Sequence, residues 1–178
     1  MTALRCTAKL LKAMKAKPIA QPAPARNRLG EWTANLIRVG HIQLVLAVSE
    51  PTRFGVVIDA APYAAIPFRL KHNVFKALLS LGVPADLAAG EAEAMEPLEI
   101  AATNSRSVLG TLNQFAFQIE CDIHYGDARS AAELTQRLAD TIVSKPAHIH
   151  HPADRVREAF GLLPLDRRWH ASPGVVLH

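Results

Sequence analysis

The chain has 178 residues, 49% hydrophobic and 20% charged, enough for one domain with a sizeable core and too apolar for intrinsic disorder. Twenty Lys and Arg against sixteen Asp and Glu leave a charge of +4, a mild excess that admits nucleic acid or another polyanion as partner without requiring one. Two cysteines do not make a disulfide framework, and no apolar run reaches the roughly 18 residues of a membrane helix.

The first 17 residues are basic and free of acids, a composition shared with transit peptides. Leu4 and Cys6 nevertheless alternate like a short strand, and Thr7 can cap a helix carrying Leu10, Leu11 and Met14. A folded N-terminus and a bacterial cytoplasmic location are expected. Cys6 and Cys121 lie in apolar patterns, as buried thiols do. Residues 16–28 hold Pro18, Pro22 and Pro24 and read as a semi-extended loop. No internal repeat is visible.

Residues 31–39 and 42–48 read as two strands joined at Gly40-His41, with Gly at the first position of a type II′ turn. Pairing Val39 with Ile42 puts Thr33, Asn35, Ile37 and Val39 beside Ile42, Leu44, Leu46 and Val48 on one apolar face. Residues 54–59 make a third strand, and pairing Val48 with Phe54 adds Phe54, Val56 and Ile58 to that face. The opposite face carries Trp32, Ala34, Leu36, Val45 and Val57 and is expected to be partly covered. Asn35 is an anomaly opposite Leu46, because a buried amide must find hydrogen bonds. It either ties down a passing loop or forms the polar floor of a pocket.

A Pro-bounded loop is followed by an amphipathic helix at 69–81, with Leu70, Val74, Leu78 and Leu81 inward and Lys71, His72 and Lys76 outward. A short helix at 84–95 and a fourth strand at 98–101 come next. Residues 106–124 read as a long helix. Residues 131–144 give another, capped by Ser130 with Leu134, Leu138 and Ile142 inward. A loop at 145–152 leads to a last helical turn or two at 154–160. Early strands and late helices argue an α+β fold, an antiparallel sheet of three to four strands packed by helices near 69–81, 106–124 and 131–144. One domain is expected over residues 1–160, with a C-terminal tail at 161–178.

The 106–124 helix carries the most informative pattern. Val108, Leu109, Leu112, Phe115, Ala116, Ile119 and Ile123 fall in a sector of about 120°. Arg106, Gly110, Asn113, Phe117, Glu120 and His124 form a second stripe at alternating spacings of four and three. Gly110 costs helix stability and leaves a bare patch between Arg106 and Asn113. Asn104 or Ser105 can cap the helix, and free N–H groups beside Arg106, Ser105 and Ser107 make an anion site. The plainer alternative is a capped helix whose Gly admits a neighbouring strand, with Arg106 paired to a local acid.

Glu120 and His124, one turn apart, suit an acid/base pair or two metal ligands, and equally a surface ion pair. His148, His150 and His151 can chelate a metal when extended, or stand as surface histidines of a mobile loop. No Walker loop, dinucleotide glycine fingerprint, paired Cys-x-x-Cys site or Gly-x-Ser-x-Gly elbow occurs, and no cofactor is implied.

Three segments, Arg5-Cys6-Thr7-Ala8-Lys9-Leu10-Leu11, Leu29-Gly30-Glu31-Trp32-Thr33-Ala34-Asn35-Leu36 and Thr103-Asn104-Ser105-Arg106-Ser107-Val108-Leu109-Gly110-Thr111-Leu112-Asn113, resemble a bacterial family known as domain of unknown function sixty-nine thirty-three. The resemblance covers roughly residues 2–145 and departs at the Pro-rich stretch 18–24 and the C-terminal extension. It implies a small intracellular bacterial protein and brings no activity, cofactor or catalytic residue. Its motifs fall on Trp32, Asn35, Asn104, Arg106, Gly110 and Asn113.

Three expectations follow. The first is a non-enzymatic binding module whose anionic partner, nucleic acid or an acidic protein surface, sits at the 104–113 helix start, extended by Lys71, Lys76, Arg38 and Arg53. The second is a hydrolase or nuclease that holds a phosphate-containing substrate on Arg106, with Glu120 and His124 as acid and base. The third is a scaffold whose polar motif only locks helix to sheet. No membrane partner is expected, and the sequence leaves the oligomeric state open.

Overall fold

The computed structural model describes residues 1–167. The first strand, β1 (Thr2–Cys6), lies between β2 (Trp32–Val39) and β5 (Leu98–Ala102) and runs parallel to both. β2, β3 (Ile42–Ser49) and β4 (Gly55–Asp59) follow one another antiparallel, giving the order β4-β3-β2-β1-β5. The sheet is therefore mixed and five-stranded, not antiparallel with three or four strands. Both parallel pairs involve β1, a five-residue strand whose partners are far away in sequence. Leu4 lies beside Ile100, a pairing that local periodicity cannot reveal.

Helices cover both faces. Leu4, Trp32, Leu36, Val45 and Val56 pack under α1 (Ala8–Met14), α2 (Ile66–Ser80), α3 (Ala85–Ala94) and α6 (Pro152–Ala159). Ile37, Leu44, Leu46 and Val57 pack under α4 (Arg106–His124) and α5 (Ala131–Ala139). The face carrying Trp32 is partly covered, as expected: Trp32, Ala34, Leu36 and Val45 are buried, while Arg38 and Gln43 at its end are exposed. Each Leu, Ile or Phe sealed this way contributes roughly 1.5–3 kcal/mol.

The β2–β3 hairpin has the expected register, Val39 beside Ile42. Gly40 has φ +59° and His41 is not in the left-handed region, as a type II′ turn requires. The β3–β4 register differs by one residue, because Val48 pairs with Gly55 rather than Phe54. Val57 therefore faces α4 and α5, while Phe54, Val56 and Ile58 join the opposite core. A Cβ at Gly55 would meet the Phe115 ring at 3.0 Å, so any side chain there would have to displace that ring slightly.

Each edge strand also bonds a neighbouring segment. Val57 N donates to Thr135 Oγ1 of α5 at 2.9 Å. On the other edge the Pro-rich loop passes β5, with Ile19 N donating to Ile100 O at 2.8 Å. Helix α2 begins earlier than expected, because Pro67 occupies its first turn, where a missing N–H costs nothing. Helix α5 stops at Ala139 instead of 144. The Thr141 hydroxyl bonds Arg137 O and Gln118, and Val143 N bonds His150 O. The turn leaves Ile142 58% exposed, not inward, and buries Val143. The expected tail is packed as far as Arg167. Leu162 and Leu165 lie against the core, and Arg167 bonds Asp154 and Asp140. Residues 168–178 lie outside the described residues.

Candidate functional site

The carboxyl ends of the parallel strands bring the three sequence motifs together. Cys6 pairs with Ala34 on one side and Ala102 on the other, so Thr7 and Thr103 leave the sheet side by side. From there α1 crosses to the Trp32 face and α4 to the opposite face. Ligands of open sheets with parallel strands commonly bind outside the carboxyl ends of those strands, where the chain diverges in this way. Thr7 closes α1, its hydroxyl accepting from Leu10 N at 3.4 Å and donating to Asn35 Oδ1 at 2.7 Å. Asn35 Oδ1 also accepts from Leu36 N. Asn35 thus ties a passing segment to the sheet. Ser105 is the cap of α4, its side chain accepting from Val108 N at 3.3 Å.

Arg5 lines this end. It pairs with Glu31 at 2.5 Å and reaches Ala102 O at 3.2 Å. Arg53 stands behind the first turn of α4. It is 7% exposed, has a left-handed backbone at φ +56° and donates to Glu50 O at 2.6 Å and Ser107 Oγ at 2.9 Å. Its Nε has no hydrogen-bond partner, and among the described residues no carboxylate lies within ion-pair distance. Burial lowers its pKa from the ordinary arginine value, with the Glu50 charge opposing. A buried, carboxylate-free guanidinium in a strained backbone is costly, and the sequence marks Arg53 only as one basic residue among several.

The stripe on α4 faces solvent. Asn104, Arg106, Ser107, Gly110, Asn113, Phe117, Glu120 and His124 are all exposed. Among the described residues Arg106 has no hydrogen-bonding or ion-pair partner, so the local acid of the plainer alternative is not there. A Cβ at Gly110 would meet nothing within 4 Å, so the glycine does not admit a neighbouring strand either. Glu120 and His124 are not joined in an ion pair, and the His124 ring lies edge-on to Tyr125 at 4.9 Å. Helical rise separates Arg106 from Glu120 by roughly 21 Å. Arg106, Glu120 and His124 are therefore not brought around one small substrate.

Trp32 does not belong to this surface. Strand alternation sends it to the other side of the sheet from Asn35, where it is fully buried beside Phe54 at 6.5 Å. Lys71 and Lys76 lie on α2 across the sheet, and Lys71 pairs with Glu96, so neither extends the contact. His148 and His150 are exposed, and His151 Nδ1 lies 2.8 Å from Asp140 O. Among the described residues no group of three His, Cys, Asp or Glu is placed to hold a metal. Cys6 is buried, which pushes its pKa up to about 12, while Cys121 is only half-buried.

One family model, described as Domain of unknown function (DUF6933), matches residues 3–155. The chain belongs to this family. The DUF6933 match spans the whole sheet apart from Thr2, helices α1 to α5 and the first half of α6, so every residue of the α4 surface lies within it. No curated protein and no solved structure matches the chain. No helix among the described residues is long and apolar enough to cross a membrane.

Proposed function

We propose that this DUF6933 protein is a binding module of the cytoplasm whose anionic partner, a nucleic-acid backbone or an acidic protein surface, docks at the start of α4. The observation that carries this reading is Arg53, buried without a carboxylate and aimed through Ser107 at the first helical turn. An anion there meets the free N–H groups of the helix start, the unpartnered Arg106 and the Arg53 charge together. The exposed amides of Asn104 and Asn113 and the bare patch at Gly110 offer hydrogen bonds and close approach. The surface is open rather than cleft-like, which suits a macromolecule better than an enclosed small substrate.

The test is binding to single- and double-stranded nucleic acids and to acidic peptides across a salt series. Nucleic-acid binding through this surface weakens with salt, with a log–log slope of about −0.9 for each duplex phosphate contacted. Arg106→Ala lowers affinity for the detected partner and leaves folding intact. Unchanged affinity for every partner after that substitution rules the reading out.

A further inference from the structure

A cleft of about 240 Å³ opens between α2, α5 and the start of α6, and it shares no lining residue with the α4 surface. Its floor is Phe54 with Ala139 and Ala153, all buried. Ala77 and Ala132 line its sides. Small side chains at four positions keep the helices from filling this space, so a flat apolar body can lie over the Phe54 ring.

Charge on the rim is one-sided. Asp140 closes one end but is held by Arg167 at 2.8 Å. Asn73 Nδ2 is bonded to Arg69 O, and the Ser80 hydroxyl to Lys76 O. Gln136 and Lys76 remain, both exposed and with side chains that have no hydrogen-bonding partner among the described residues, and Lys76 is the one charged group of the two, with no carboxylate within ion-pair distance. We propose that this cleft binds a small amphipathic carboxylate, its apolar body on Phe54 and the alanines and its head at Lys76. This site is independent of the α4 reading and stands or falls separately.

Titrating the full chain with 2-naphthoate, followed by backbone amide NMR shifts, tests it. Saturable shifts are expected in residues 73–81 and 132–140. Affinity should fall about fivefold for neutral 2-naphthamide and for Lys76→Gln, the range of a partly exposed charge pair. Ala132→Trp should fill the space and remove the shifts, and Lys76→Gln, at an exposed position, keeps the test interpretable if that variant misfolds. Absence of saturable shifts in these two helices, shifts confined to residues 104–113, or equal affinity for acid and amide would each overturn the assignment.

Discussion

The Thr7 hydroxyl donates to Asn35 Oδ1 at 2.7 Å and accepts from Leu10 N, so a single threonine closes α1 and ties β1 to β2. Thr7 N donates to Ala34 O at 3.0 Å, which completes the junction. Because both side chains are half-buried, removing one partner leaves the other short of a hydrogen bond. Asn35→Ala is expected to destabilise the fold by about 1–3 kcal/mol in equilibrium urea denaturation. Asn35→Asp keeps an acceptor and should cost less. A loss below about 0.5 kcal/mol for the alanine variant would mean that the tie carries no weight.

Arg53 makes a different expectation, because its charge is costly where it sits. Arg53→Met keeps the apolar stem but removes the guanidinium. The lost bonds to Glu50 O and Ser107 Oγ oppose the gain from no longer burying a cation, so stability should change by less than about 1 kcal/mol. Affinity for the anionic partner should fall about tenfold, the effect of a well-placed charged contact. Calorimetric titration beside urea denaturation separates the two effects. A large stability loss with unchanged affinity would make Arg53 a structural residue only.

These residues differ in how far the sequence exposed them. The bounds of α4 follow from one unbroken period of apolar positions, and its solvent-facing stripe from the same wheel. The β2–β3 register follows because a two-residue turn permits little slippage. The β3–β4 turn is longer and includes the left-handed Arg53. Since both faces of β4 are buried, Val56, Val57 and Ile58 look alike in either register. Trp32 and Asn35 share one contiguous motif, although alternation separates them by the thickness of the sheet. The meeting of Thr7 with Thr103 depends on β1 pairing with β5, which only the folded chain defines.

Asp154 sets a pH dependence. Burial raises its pKa, but the Arg167 guanidinium at 2.6 Å, the Leu165 amide and the His151 charge together outweigh it and hold the carboxyl below the ordinary 3.8. A carboxyl depressed on folding stabilises the protein above that unfolded value, and the contribution is lost as pH falls through the lower folded value. The urea midpoint should therefore drop below about pH 3.8, and Asp154→Asn should flatten this part of the profile while lowering stability near neutrality. Parallel profiles for the two proteins would remove Asp154 from the acid response.

Gly110 separates a structural from a binding role for the α4 stripe. It lies mid-helix with open space where a Cβ would be, so the fold gains nothing visible from its absence of side chain. Gly110→Ala should stabilise the protein by about 0.5–1 kcal/mol through helix propensity alone. A partner that approaches the bare backbone between Arg106 and Asn113 would tolerate the added methyl poorly and a Trp not at all. Gly110→Trp should therefore fold, as judged by circular dichroism and denaturation, yet lose the salt-dependent binding. Destabilisation by Gly110→Ala would contradict the open space at this position, and full binding by Gly110→Trp would move the contact surface away from the centre of the stripe.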